Sequence, residues 1–298
     1  MGKRKGLKVE ADVPISKTTV AAFGMDYEDT GGAIWIPGTD TMFRISQGFK
    51  NNQTDVRFDV VFDVYGKGFE YFNSGPLEDR PYSGTIRKVE VFVDSNPALT
   101  VTRLKLSPEE AAKLYQGDPF AAIAKLLTGD DTIIGSDFAD PNIWGGKGND
   151  LLWGRMGDDI VNGFKGNDVN DGGLGNDRLV DTKGDDSFSF TTKLELTVAL
   201  NLTNNFDTIL KFSSGDEIYL AEYVFEGIGD KLSKKEFHFG DMATSAKHRI
   251  LFDGDTGYWD RDGSGSMYEA IPFFEVEKGG GNINHKVFVM GVMYGDDY

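Results

Sequence analysis

Between residues 145 and 189 an aspartate recurs every nine positions: Asp150, Asp159, Asp168, Asp177 and Asp186. Each follows a glycine by two places (Gly148, Gly157, Gly166, Gly175, Gly184). Each precedes by two places a residue that is apolar in four of the five repeats: Leu152, Val161, Asn170, Leu179 and Phe188. Carboxylates at a fixed beat among glycines point to one chemistry. Glycine reaches positive φ and lets backbones approach closely, so a six-residue loop can turn its carbonyls inward beside the aspartate. Such an oxygen-only nest suits a hard cation with about six to eight ligands, and suits Ca2+ better than Mg2+, which demands a tighter octahedron and keeps its waters.

The spacing also dictates the scaffold. A loop of six residues followed by a strand of three, with the eighth residue facing in, makes one side of a flattened coil, and two nonapeptides close the coil. Repeats two apart then share an edge. Asp150, Asp168 and Asp186 stack along one edge, and Asp159 stacks with Asp177 along the other. The phrase 129-GDDTIIG-135 repeats the text upstream, but Asp140-Pro141-Asn142 inserts a residue and leaves Pro141 where an aspartate belongs. The candidate metal ligands of the array are Gly129, Asp131, Gly146, Gly148, Asp150, Gly157, Asp159, Gly166, Asp168, Gly173, Gly175, Asp177, Gly184 and Asp186.

The rest of the chain supplies flanking modules. Residues 56-VRFDVVFDVYG-66 and 88-KVEVFV-93 place apolar residues at every second position, the pattern of half-buried strands. The fold class is therefore mostly all-β. A flexible tail (1–19) leads into an N-terminal β-sandwich-like domain (20–106). A helical linker (107–128) follows, opened by a capping box at Ser107 and Glu110 with Pro108 in the first turn. Next come the parallel β-roll (129–190) and a C-terminal β cap (191–298). Trp35, between turn formers, is expected to be a buried edge-strand anchor.

Composition narrows the partners. The 298 residues carry 48 Asp plus Glu against 31 Lys plus Arg, a formal charge of -17, which disfavours nucleic acid as a partner. The chain has no Cys, which removes disulfides and thiolate zinc sites. No stretch reaches the roughly 18 apolar residues of a membrane span. The basic N-terminus lacks the apolar run of about 7–15 residues that a cleavable signal peptide needs.

Residues 129–190 resemble the repeats-in-toxin (RTX) calcium β-roll. The segment 205-NFDTILKFSSGDEIYL-220 is similar to the strand pair that follows the roll in the C-terminal module of serralysin-type proteases, and 249-RILFDGDTGYWDRDGSG-265 resembles the phrase that ends such modules. The resemblance adds Asp207 and Asp216 to the candidate ligands. It implies several Ca2+ ions, Ca2+-triggered folding, and export from a Gram-negative bacterium by a type I ABC transporter through an uncleaved C-terminal signal. Arg155 and Phe164 replace the second glycine of their repeats, Asn170 takes an apolar place, and the ending 291-GVMYGDDY-298 departs from the acidic-then-apolar tail of many such proteins.

The stretch 260-DRDGSGSMYEAI-271 starts like an EF-hand loop, but Ile271 stands where a bidentate Glu belongs. A β-turn holding one extra Ca2+ through Asp260 and Asp262 fits better. No catalytic residue is assigned. His238, His248 and His285 are scattered in sequence, there is no H-E-x-x-H, and neither a nucleophile elbow nor a Walker loop occurs. The expected function is that of a secreted calcium-binding protein and not an enzyme, with the N-terminal domain binding a cell surface, glycan or host partner. The alternative is a secreted enzyme acting on extracellular polymer, with acids such as Asp59, Asp63 or Glu70 doing the work.

Overall fold

The computed structural model describes residues 5–11, 27–29, 34–36, 39–51, 57–71, 81–93, 96–102, 104–110, 127–140, 143–180, 182–191, 205–225, 228, 231–263, 270–277 and 283–291. The chain divides into two compact units, Met1–Asp137 and Phe138–Tyr298. Of the expected tail (1–19), residues 5–11 form a strand, while 1–4 and 12–19, linker residues 111–126, the Trp35 side chain and the ending after Gly291 lie outside the described residues.

In the first unit, β1 (Lys5–Ala11), β2 (Tyr27–Asp29), β3 (Ile34–Ile36), β4 (Met42–Asn51), β5 (Arg57–Tyr71), β6 (Pro81–Val93), β7 (Asn96–Thr102) and β8 (Asp130–Ile134) form one sheet. Its order runs β4-β5-β6-β7-β1-β8, with β2 and β3 both on the outer edge of β4. Neighbours are antiparallel except β1 with β8. The alternation in sequence becomes two faces. Phe43, Val64 and Val101 lie on one register row and are buried, and Phe43 meets Phe69 edge-on at 5.0 Å between ring centres. The next row carries Arg44, Asp63, Glu90 and Thr100. After the sheet, the Ser107 N–H donates to the Glu110 carboxylate at 2.8 Å and the Glu110 N–H donates to Ser107 Oγ at 3.1 Å. The reciprocal cap predicted from the text is thus formed, with Pro108–Glu110 as the helical residues described.

The second unit is a parallel β-roll with a cap. Strands β10 (Leu151–Trp153), β12 (Val169–Asp171), β14 (Ser187–Phe190), β16 (Glu217–Ala221) and β21 (Phe288–Gly291) make one sheet. Strands β9 (Ile143–Lys147), β11 (Ile160–Lys165), β13 (Arg178–Val180), β15 (Asp207–Leu210) and β20 (Ile271–Val276) make the parallel part of the other. Consecutive strands alternate between sheets. Partners within a sheet are eighteen residues apart through the array: Leu152 opposite Asn170 opposite Phe188, and Val161 opposite Leu179. This is the coil of two nonapeptides. The second sheet continues antiparallel through β19 (Thr256–Trp259) to β18 (Ile250–Phe252), which pairs in parallel with β17 (Phe237–Phe239).

Between the two sheets runs a thin core. Ile143, Leu152, Val161, Leu179, Phe188, Ile209 and Ile218 are fully buried, and so is Asn170. Neither the side-chain oxygen nor the nitrogen of Asn170 meets a hydrogen-bond partner among the described residues. The segment 205–220 is therefore a further coil of the same roll, with Ile209 and Ile218 in the inward places. Phe190, Phe225, Trp259, Phe273 and Phe274 pack edge-on and tilted against one another where the roll meets the cap.

Candidate functional site

The loops at the two edges of the roll bring the aspartates into two ladders. Along one, Asp168 Oδ1 accepts the N–H of Asp150 (2.8 Å), Asp186 Oδ1 that of Asp168 (2.7 Å), and Asp216 Oδ1 that of Asp186 (3.1 Å). Along the other, Asp159 Oδ1 accepts the N–H of Asp140 (2.7 Å), Asp177 Oδ1 that of Asp159 (2.8 Å), and Asp207 Oδ1 that of Asp177 (3.0 Å). Asp150, Asp168 and Asp186 share an edge, and Asp159 and Asp177 share the other, as the spacing predicts. Asp207 and Asp216 extend the two ladders by one coil each.

Glycine makes room for these carboxylates. A Cβ added to Gly145, Gly154, Gly163 or Gly172 would collide with the Oδ2 of the aspartate five residues on. A Cβ on Gly166, Gly175 or Gly184 would strike the carbonyl oxygen of the glycine eighteen residues earlier. Gly146, Gly148, Gly157, Gly166, Gly173, Gly175 and Gly184 all have positive φ. Arg155 (φ 82°) and Phe164 (φ 72°) keep the left-handed conformation of the glycines they replace, at a strain cost of about 1 kcal/mol each. The loop geometry therefore comes from the coil as a whole and survives the loss of individual glycines.

The electrostatics of the ladders call for positive charge. Burial pushes the Asp159 carboxyl up to about 9 and the Asp177 carboxyl to about 7, and it raises Asp207 as well. Asp159 Oδ2 is buried and meets no hydrogen-bond donor among the described residues. Among those residues no group of three His, Cys, Asp or Glu side chains is placed to hold a metal ion. A buried carboxylate oxygen beside a glycine cradle fits an oxygen-liganded hard cation, and does not fit a soft or imidazole-bound one.

Four copies of the RTX calcium-binding nonapeptide repeat match residues 142–169 and 171–189. The chain carries RTX calcium-binding repeats. RTX nonapeptides bind Ca2+, and four copies accommodate several ions. The solution structure of the AlgE6R3 subunit of the Azotobacter vinelandii mannuronan C5-epimerase is similar at 24% identity over 54% of this chain and 78% of that one. Its TM-score is 0.23, and so loose a superposition carries no inference about activity. No curated protein sequence matches the chain.

The remaining candidates fall elsewhere. Gly129 precedes β8 and Asp131 is buried within it, in the first unit. Asp260 and Asp262 sit in the turn after β19, outside the nonapeptide repeats in sequence. His238 and His248, far apart in sequence, stack face to face at 4.5 Å, whereas His285 stands in a separate turn. Asp63 is held by both Nε and Nη2 of Arg44 at 2.5 Å.

Two groups of RTX-loop residues escaped the sequence reading. Asp140 takes the ladder place that the text assigns to Pro141. It is fully buried, and its carbonyl accepts the Ile160 N–H at 2.9 Å, as the Asp159 carbonyl accepts that of Arg178 one coil later. The inserted residue is absorbed after the aspartate and not before it. The fifth position forms an outer ladder of its own: Asn149 Oδ1 accepts the Asn167 N–H, Asp158 Oδ1 that of Asn176, and Asn167 Oδ1 that of Asp185. The signal was present, since that position is Asn or Asp in all five repeats.

Proposed function

We propose that this is a secreted protein whose RTX roll folds when Ca2+ becomes available outside the cell and then supports an N-terminal binding module. In this reading residues 20–106 bind a cell surface, a glycan or a host partner, 107–128 link them to the roll, and 191–298 close it. Export runs through a type I ABC transporter of a Gram-negative bacterium. The observation that carries the proposal is the pair of ladders, in which buried carboxylates stack a strand spacing apart with Asp159 Oδ2 lacking a donor. Without a cation these charges oppose folding, and with one the binding free energy becomes folding free energy. Sites of this kind with Kd on the order of 10⁻⁴–10⁻³ M stay empty inside a cell and fill outside it.

The N-terminal sheet supports a binding role through its polar row. Arg44, Asp63, Tyr65, Lys88 and Glu90 interlock: Lys88 pairs with Glu90 and lies over the Tyr65 ring at 5.1 Å, and a hydrogen bond to Glu90 helps push the Tyr65 hydroxyl up to about 12. A rigid face of fixed charges suits recognition. No helix among the described residues is long and apolar enough to cross a membrane.

A Ca2+ titration followed by far-UV circular dichroism, paired with a glycan array, tests both halves. We expect strand signal to rise with Ca2+ and fall with EGTA, and binding without turnover of the bound glycan. Full strand signal in EGTA would sink the coupling. Turnover lost on changing one acid in 20–106 would make the N-terminal unit an enzyme.

A further inference from the structure

The third place of the nonapeptide has no part in the ladders, yet its occupants differ from edge to edge. On the edge of Asp150, Asp168 and Asp186 it is Lys147, Lys165 and Lys183, and on the edge of Asp159 and Asp177 it is Met156 and Leu174. Lys147 stands opposite Lys165 in the register of β9 and β11. The Gly148 N–H donates to the Lys165 carbonyl at 2.9 Å, and the Gly166 N–H donates to that of Lys183 at 3.0 Å. The three lysines therefore form one column at the strand spacing of about 4.8 Å. All three are exposed, and among the described residues none pairs with a carboxylate.

The fold does not need this charge. On the opposite edge Met156 pairs with Leu174, the Gly157 N–H donates to the Leu174 carbonyl at 2.8 Å, and the same aspartate ladder forms with no cation at the third place. Like charges directly opposite one another in a sheet oppose pairing. The column calls for an anion whose charges repeat along a line. At physiological salt, screening confines the repulsion from distant acids to about 8 Å, so a local column acts in spite of the net charge of -17. Asp185, the acid of the outer ladder on this edge, packs over Gly215.

An apolar ledge shares the two strands that open the column. Trp144 and Phe164 are 41% and 36% exposed and meet edge-on at 5.8 Å between ring centres. The backbone that presents Phe164 is pinned from both sides: its N–H donates to Asn162 Oδ1 at 3.0 Å, and its carbonyl accepts the Thr182 hydroxyl. Exposed rings of this size bring a large apolar area to an interface. Charges in a line beside such rings suit a chain of sugar rings with an acid on each. Duplex nucleic acid, with about one charge per 1.7 Å of axis, demands a broader basic surface than three lysines supply.

We propose that this edge of the roll binds a linear polysaccharide carrying a carboxylate on every ring. Lys147, Lys165 and Lys183 pair with carboxylates along it, and Trp144 and Phe164 pack against its rings. The column exists only in the closed coil, so the proposal rests on the Ca2+-folded roll.

Calorimetric titration of the full chain in saturating Ca2+ with a soluble galacturonate hexamer tests it, with a neutral maltose-type hexamer as control and circular dichroism following the roll. The parent should bind the acidic hexamer and not the neutral one. Combining Lys147→Gln, Lys165→Gln and Lys183→Gln should weaken binding about tenfold, and Lys165→Gln alone about threefold. Removing the same charge from exposed places in the cap, by Lys231→Gln, Lys234→Gln and Lys235→Gln together, should leave the affinity within about twofold. Trp144→Ala should weaken binding with the strand transition retained. A parent that ignores the acidic hexamer, or equal losses in the two triple variants, would overturn the proposal. So would tighter binding of a DNA duplex or of anionic vesicles than of the hexamer. If the column triple loses its strand transition, Lys165→Gln decides, and an affinity equal to the parent's then counts against the column. Strand signal that persists in EGTA would sink the folding reading, while a loss of hexamer binding confined to the column variants would still uphold this one.

Discussion

The two units are both sheets, yet they spend their charged residues in opposite ways. In the N-terminal sheet Asp63 is buried and answered by a guanidinium through two parallel bonds. In the roll Asp159 is as deeply buried and answered by backbone N–H on one oxygen and by nothing on the other. The first arrangement is closed within the chain, whereas the second leaves a buried carboxylate oxygen open to a cation. Under the proposed function this difference separates a module that folds on its own contacts from one whose folding waits on Ca2+.

Four changes probe this contrast, from strong to weak. Gly166→Ala drives a Cβ into the Gly148 carbonyl at a φ of 128° and should cost the roll roughly 3 kcal/mol. Hydrogen exchange should show faster opening of β10–β14 with β4–β7 unchanged. If β4–β7 exchange faster too, the two units do not fold separately. Asn170→Leu removes an unsatisfied amide from the core between Leu152 and Phe188 and should stabilise the roll by about 2 kcal/mol, read as a lower Ca2+ midpoint. A midpoint that stays put or rises would mean that the amide is satisfied in solution.

Acid offers a third probe. Burial raises Asp159 to about 9 from an ordinary value near 3.8, so the folded apo state binds a proton that the unfolded chain gives up. Apo stability is therefore present below about pH 4 and is lost as pH climbs toward 9. In EGTA the roll should regain strand signal between pH 7 and 5, and in Ca2+ the midpoint should move to higher concentration over the same range. An apo signal flat in pH would contradict the burial. The smallest effect belongs to the N-terminal sheet. Arg44→Lys cannot reproduce both bonds to Asp63 and, with Arg44 nearly half exposed, should cost only about 1 kcal/mol. Its thermal shift should be the same in EGTA and in Ca2+.

Much of the roll was legible because a nine-residue period leaves few options. Gly148, Asp150 and Leu152 recur in phase, and only a coil of eighteen residues keeps all three roles at once. Periodicity also hid what breaks it. Asp140 was obscured because an insertion shifts the count while the backbone absorbs the extra residue downstream. The coil at Asp207 and Asp216 was legible only through family resemblance, since 30 residues rather than eighteen separate Asp177 from Asp207. In the N-terminal unit the alternation of 56–66 and 88–93 foretold strands. It did not foretell which strands pair, because period two is silent about partners. The stacking of His238 on His248 is likewise a product of strand pairing between β17 and β18 with the loop that joins them, and no local signal announces it.

The bonds of the two inner ladders all point one way. From Asp159 to Asp216 each of these aspartates caps an amide that lies earlier in the chain, so the inner amides of a coil are capped only when the next coil toward the C-terminus is in place. Shortening the roll from its beginning strips carboxylates of the amides they cap, and water can hydrate them. Shortening it from its end leaves bare N–H groups on the last coil. The inner ladders therefore have a direction, and Asp207 and Asp216 cap the last amides of the nonapeptide array.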